Sequence, residues 1–206
     1  MNTFDRKQHW ENIYQNKEMK EFSWYQSKPE TSLNFLNDFN LPKTAKIIDV
    51  GGGDGFLVDS LLDLGYQDLT VLDISAHAIE RAKKRLGDRG KKVKWLISDA
   101  TNFKPNEKYD FWHDRAVFHF LKDEKDVSSY LKTAKESLNP NAFLLMGTFS
   151  EEGPVKCSGI EIKQYTEEAL TNLFTDSFKK LNCIRLDHKT PFDTLQNFLF
   201  CSFQKI

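Results

Sequence analysis

Cysteine is scarce in this chain, with three among 206 residues, at positions 157, 183 and 201. An odd and widely spaced set fits neither a disulfide framework nor a zinc ribbon, so buried thiols and no metal are expected. No stretch approaches the roughly 18 apolar residues of a membrane-spanning helix. Met1–Lys7 has no apolar run of the kind a secretory signal carries. A reducing cytoplasm is therefore the expected location, with no membrane partner. An excess of one charge is also missing: 29 Lys and Arg stand against 30 Asp and Glu, a formal net charge of −1. That balance disfavours bulk binding to nucleic acid. The short clusters Lys83–Lys84–Arg85 and Lys91–Lys92 read as solvated surface. There is no repeat, no low-complexity tract and no linker. A single domain over residues 1–206 is expected, with a helical and aromatic segment at 1–40 ahead of a sheet core at 45–206.

What is present alternates. Short apolar runs at Ala45–Val50, Leu69–Ile74, Val93–Ser98, Tyr109–His113 and Ala142–Phe149 have the composition of strands buried on both faces. Helical spacing lies between them. Phe56–Leu64 presents Leu57, Leu61 and Leu64 before Gly65, Ser75 can cap a helix carrying Ile79, Ala82 and Leu86, and Asp126–Leu138 runs up to the turn signal Asn139–Pro140–Asn141. Such alternation predicts a parallel sheet with helices on both sides. The end of the chain reads as a closing hairpin, Lys180–Leu186 and Leu195–Phe203, whose last strand is antiparallel to the rest. Leu199, Cys201 and Phe203 on one face, with Phe198 and Phe200 on the other, predict that this strand is central in the sheet.

The first strand runs into Gly51–Gly52–Gly53–Asp54–Gly55 and then straight into a helix. Glycine allows a positive φ and a close approach of other groups to bare backbone. Phe56 stands where a dinucleotide fingerprint needs a small residue, and Phe56–Leu57 is not the Lys-Ser or Lys-Thr pair of a P-loop. Asp73 ends the second strand, where a carboxylate can accept both hydroxyls of a ribose. Asp99 and Ala100 follow the third strand, offering a carboxylate and a backbone N–H to a purine edge. Each acid alone could merely cap a helix, but three acids at three successive strand ends form a pattern.

Together, Asp49-x-Gly-x-Gly-x-Gly, Asp73 and Asp99 resemble the nucleoside-binding signature of class I S-adenosylmethionine-dependent methyltransferases, over about residues 45–150. The resemblance implies a Rossmann-like α/β fold: a seven-stranded, mostly parallel sheet with the last strand antiparallel and helices on both faces. It implies S-adenosylmethionine as cofactor, with Gly51, Gly53 and Gly55 near the methionine moiety, Asp73 and Ile74 at the ribose, and Asp99 and Ala100 at the adenine. Arg115 would line the same pocket. The aromatics from His9–Trp10 to Tyr25 are similar to the opening of the methyltransferase-like protein-lysine enzymes, so Trp10, Tyr14 and Trp24 would form a lid; as plain residues they could equally pad a sheet edge. Features such as His113–Asp114–Arg115, Gly153–Pro154 with Cys157–Ser158–Gly159, and His188–Phe192 look like a bacterial subgroup of the same family.

Methyl transfer is an in-line displacement, so an enzyme mainly positions two reactants and, for some acceptors, removes a proton. His119 and Asp114, with His113, are the candidate bases, although a packed histidine and an ordinary charge pair explain them as well. The expected activity is methylation of a small-molecule acceptor, since no added binding domain is visible. Protein-lysine methylation is the alternative enzyme, weakened because His113–Ala116 carries no Asn/Asp-Pro-Pro-Tyr acceptor clamp. A non-catalytic S-adenosylmethionine-binding module is the alternative of another class.

Overall fold

The first strand, β1 (Lys46–Val50), alternates its faces: Ile47 packs into one hydrophobic cluster and Ile48 into another. That period of two, repeated in neighbouring strands, makes both faces of the sheet apolar and calls for helices on each. A computed structural model describes residues 4–206 in this arrangement. The chain order is α1 (Arg6–Asn16), α2 (Glu30–Asp38), β1, α3 (Leu57–Asp63), β2 (Asp68–Asp73), α4 (Ala76–Leu86), β3 (Val93–Ile97), β4 (Tyr109–Arg115), α5 (Glu124–Ser137) and β5 (Leu138–Phe149). A two-stranded ribbon, β6 (Lys156–Cys157) and β7 (Ile160–Glu161), precedes α6 (Glu167–Asn172), β8 (Phe178–Lys189) and β9 (Leu195–Lys205).

The seven-stranded sheet has the order β3-β2-β1-β4-β5-β9-β8. Strands β1 to β5 pair in parallel, and β9 runs antiparallel to both β5 and β8. The last strand is thus the reversed one and is central, as its two apolar faces require. Leu33, Leu57 and Ile79 from α2, α3 and α4 cover one face of the sheet, and Val127, Tyr130 and Leu170 from α5 and α6 cover the other. Local signals act as anticipated in several places. The Ser75 hydroxyl accepts from the Ala78 N–H at the start of α4, and Gly65 takes φ +86° just past α3.

One expectation is refined and one needs correction. Asn139–Pro140–Asn141 falls within β5, which begins at Leu138, but the ladder with β4 skips there from Leu138 opposite Tyr109 to Phe143 opposite Phe111, and Asn141 takes φ +62°. The turn signal thus marks an irregularity inside the strand. Cysteine usage also differs: Cys183 and Cys201 are a disulfide, and Cys157 alone is a free, buried thiol. The closing hairpin sets Cys183 directly opposite Cys201, a juxtaposition that wide sequence spacing conceals. No helix among the described residues is long and apolar enough to cross a membrane.

Candidate functional site

In a parallel sheet all carboxyl ends share one rim, and the loops leaving that rim build the site. Here the β1 exit is the tight part. Gly51 has φ +67° and Gly53 φ +51°, and the Gly51 N–H donates to the Leu72 carbonyl at 2.7 Å. A Cβ on Gly51 would fall 1.8 Å from Val117 Cγ2, and one on Gly53 would fall 2.5 Å from Tyr14 Oη. Positive φ and crowding both demand glycine at these two positions. The crowding groups are the protein's own side chains, so Gly53 is covered by Tyr14 and does not face the main cleft.

That cleft lies between the rim and α1. The structure brings Trp10, Tyr14, Trp24, Gly51, Asp73, Ile74, Asp99, Ala100 and Arg115 together around it. A second cavity of about 590 Å³ adjoins it and shares Tyr14, Trp24, Gly51 and Arg115. Gly55 lines this second cavity, not the first, and its carbonyl accepts from Arg85.

Asp73 is buried, and its Oδ1 accepts from the Ser75 N–H at 2.8 Å. Burial, reinforced by the charges of Asp54 and Asp49, pushes its pKa up to about 7, against the N–H groups of Ser75 and Gly53. Such a carboxyl is short of donors, and two sugar hydroxyls would satisfy it. Asp99 is already engaged. Its Oδ1 accepts from the Thr101 N–H and hydroxyl, and its Oδ2 pairs with Arg6 Nη1 at 2.8 Å.

Arg6 was not anticipated; it also bonds Asp126, so α1 is clamped across the Asp99 end of the cleft. Glu11 fixes the middle of α1 by accepting from Ser75 Oγ and the N–H groups of Ala76 and His77 at the start of α4. Burial opposes its ionisation, yet these donors hold the Glu11 carboxyl at about 2. Arg81 then accepts no part in the cleft but donates to the Tyr14 and Lys17 carbonyls at the end of α1. On this frame Trp10 packs edge-on against Trp24 and Phe120, and Phe22 stacks on Trp24 at 4.6 Å. The aromatic segment therefore roofs the cleft and does not pad a sheet edge.

Two of the three candidate bases stand elsewhere. Asp114 is fully buried and lines neither cavity; it accepts from the Tyr130 hydroxyl and the N–H groups of Val117 and Phe118. Burial raises its pKa to about 6 against those bonds. It shapes the turn after β4, and it makes no charge pair with Arg115. His119 is also buried outside both cavities, stacked on Phe149 at 4.6 Å, with neither ring nitrogen hydrogen-bonded among the described residues. Burial and then the Arg115 charge lower its pKa to about 3, so it stays neutral. Of the three candidates, only His113 reaches a cavity, the second one. Its Nδ1 lies 2.7 Å from Asp49 Oδ1 and its Nε2 2.8 Å from Ser32 Oγ, so both nitrogens are committed. Cys157, in the glycine-rich loop after β5, lines the main cleft, and burial raises its thiol pKa.

Comparison with known proteins finds likenesses over about half of the chain. Residues 48–144 match the family model described as a methyltransferase domain. The mouse eEF1A lysine and N-terminal methyltransferase is 30% identical over 127 residues, covering 61% of this chain and 18% of that protein. The malonyl-[acyl-carrier protein] O-methyltransferase of Anoxybacillus flavithermus is 35% identical over 106 residues, 51% of this chain and 39% of the relative. The chain thus spans well under two thirds of these relatives' lengths. Among solved structures, the N-methyltransferase NodS from Bradyrhizobium japonicum WM9 in complex with S-adenosyl-L-homocysteine superposes with a TM-score of 0.70 at 16% identity, covering 98% of this chain and 99% of that one. At such identity the likeness is one of fold.

Proposed function

We propose that this chain, whose residues 48–144 match the methyltransferase-domain model, transfers a methyl group from S-adenosylmethionine to a small-molecule acceptor. The observation that carries this reading is Asp73, a buried carboxyl held only by the backbone N–H groups of Ser75 and Gly53 and lining the cleft beside a glycine turn. The residues fit the group: Asp73 for ribose hydroxyls, Ala100 with Asp99, whose Oδ2 can accept one more donor beside Arg6, for the adenine edge, and Gly51 where the chain bends toward the second cavity. When bound, the cofactor supplies an electrophilic methyl carbon on a sulfonium.

The protein's own contribution is then positioning and exclusion of water. Trp10, Trp24 and Phe120 close the cleft from solvent, while Tyr14, Gly51 and Arg115 form the seam through which the two cavities meet. Asp114 and His119 take no part as bases in this account, since neither reaches a cavity. The acceptor enters the second cavity already nucleophilic, or loses its proton to solvent.

A protein acceptor is the second reading, favoured by the mouse relative, which is named for lysine and N-terminal methylation. Incubation with S-adenosylmethionine and either a small-metabolite pool or a protein extract separates the two by which fraction drives S-adenosylhomocysteine formation. Binding of the cofactor with no conversion by either fraction would leave the non-catalytic module as the better account.

A further inference from the structure

Arg115 ends β4 at the seam of the two cavities. A guanidinium holds five N–H donors in one rigid plane, and only part of this one is used. Nη1 donates to the Trp24 carbonyl at 3.0 Å, and the Phe198 ring lies under the plane, 4.9 Å from Cζ. Nη2 is shut away from solvent with no hydrogen-bond partner among the described residues. Burial, only partly offset by Cys157 and Asp49, lowers the Arg115 pKa to about 10, which is the cost of a charge lacking its counter-ion.

The nearest acids are committed elsewhere. Asp49 bonds His113, and Asp114 turns away to Tyr130 and the backbone of Val117 and Phe118. A backbone carbonyl on one side and an aromatic ring beneath hold the guanidinium still, with its free edge ready to meet a planar anion. Asp49 and Asp54 also line the second cavity, so a doubly charged phosphate is disfavoured there and a singly charged carboxylate is tolerated. The remaining walls, Phe22, Trp24, Tyr25 and Phe56, suit an apolar or aromatic body.

We infer that Arg115 is the anion-recognition residue of this cleft and takes the carboxylate of a bound small molecule. That carboxylate belongs either to the acceptor or to the amino-acid end of the methyl donor. The inference rests on the methyltransferase reading for its ligand sources, and the experiment separates the two.

Binding of S-adenosylhomocysteine and of 5′-methylthioadenosine, which lacks the amino-acid end, is measured calorimetrically on the wild type, Arg115→Gln and Arg115→Lys. Benzoate is then titrated into each protein with and without S-adenosylhomocysteine, and circular dichroism checks the fold of each variant. A loss of at least ~10-fold for S-adenosylhomocysteine in Arg115→Gln, with 5′-methylthioadenosine unchanged, assigns Arg115 to the donor's carboxylate. Unchanged nucleoside binding with benzoate bound by the wild type and lost in Arg115→Gln assigns it to the acceptor. Arg115→Lys keeps the charge but not the planar fork, so it retains only part of either effect; it also carries the test if Arg115→Gln does not fold. Equal behaviour of all three proteins toward every probe overturns the inference. A wild type that binds neither nucleoside overturns the methyltransferase reading instead, and the benzoate titration still decides Arg115.

Discussion

Lowering the pH from 8 to 6 should weaken S-adenosylhomocysteine binding by about tenfold through Asp73. In the unliganded protein burial raises this carboxyl to about 7. Two ribose hydroxyls donating to it would stabilise the ionised form, so the liganded pKa falls well below 6. The free protein is then about nine-tenths ionised at pH 8 and about one-tenth at pH 6, and binding at the lower pH must first release a proton. Calorimetry at pH 6, 7 and 8, in two buffers of different ionisation enthalpy, reads both quantities. Affinity should rise about fivefold from pH 6 to 7 and about twofold from pH 7 to 8, with proton release near one at pH 6 and near zero at pH 8. Asp73→Asn, unable to ionise, should bind weakly at every pH and flatten the profile. The same shift has a stability sign. A carboxyl raised in the folded state favours folding most below its unfolded pKa and loses that contribution as pH climbs toward 7, here about 4 kcal/mol in full. Asp73→Asn should therefore raise the Tm of the unliganded protein at pH 8 while weakening the ligand. A flat affinity profile in the wild type, or an unchanged slope in Asp73→Asn, refutes the placement of the ribose.

Three further outcomes follow from the packing. Gly51→Ala meets both φ +67° and a Val117 methyl 1.8 Å from the new Cβ, so it should cost at least ~2 kcal/mol in urea unfolding. Val117→Ala in the same chain should recover only the steric share. Tyr130→Phe removes the hydroxyl that donates to Asp114 and accepts from the Trp112 indole, and should cost about 1–3 kcal/mol of stability with nucleoside affinity unchanged. A drop in affinity would instead show that Asp114 acts on the cleft. Reduction of the Cys183–Cys201 bridge, which closes residues 18 apart, should lower stability by about 3 kcal/mol in thermal melts, again without loss of binding, because β8 and β9 lie on the far side of β5 from the strands that end at Asp73 and Asp99.

The parts of the fold legible in the sequence were those written locally. Ile47 and Ile48 alternate between two faces, Ser75 caps its helix, and Gly65 ends one, so the order of strands and helices could be read residue by residue. The doubly apolar pattern of Phe198–Phe203 even placed the last strand inside the sheet. The pocket acids were legible for the same reason, because the carboxyl ends of successive parallel strands must share a rim. What stayed hidden depends on juxtapositions between distant segments. Arg6 meets Asp99 across 93 positions, and nothing near Arg6 announces it. Cys183 and Cys201 become partners only once the hairpin register is set. The sequence offers Asp114 and His119 as polar groups beside the site, but the pleat of β4 aims Asp114, and the turn after β4 carries His119, into the core, where Tyr130 and Phe149 receive them.

The most direct test of the account is calorimetric binding of S-adenosylmethionine, S-adenosylhomocysteine and NAD to the purified, ligand-stripped protein. The account predicts micromolar binding of both sulfur nucleosides and none of NAD. Failure of both sulfur nucleosides to bind would contradict it, leaving the glycine turn and its three acids as architecture alone.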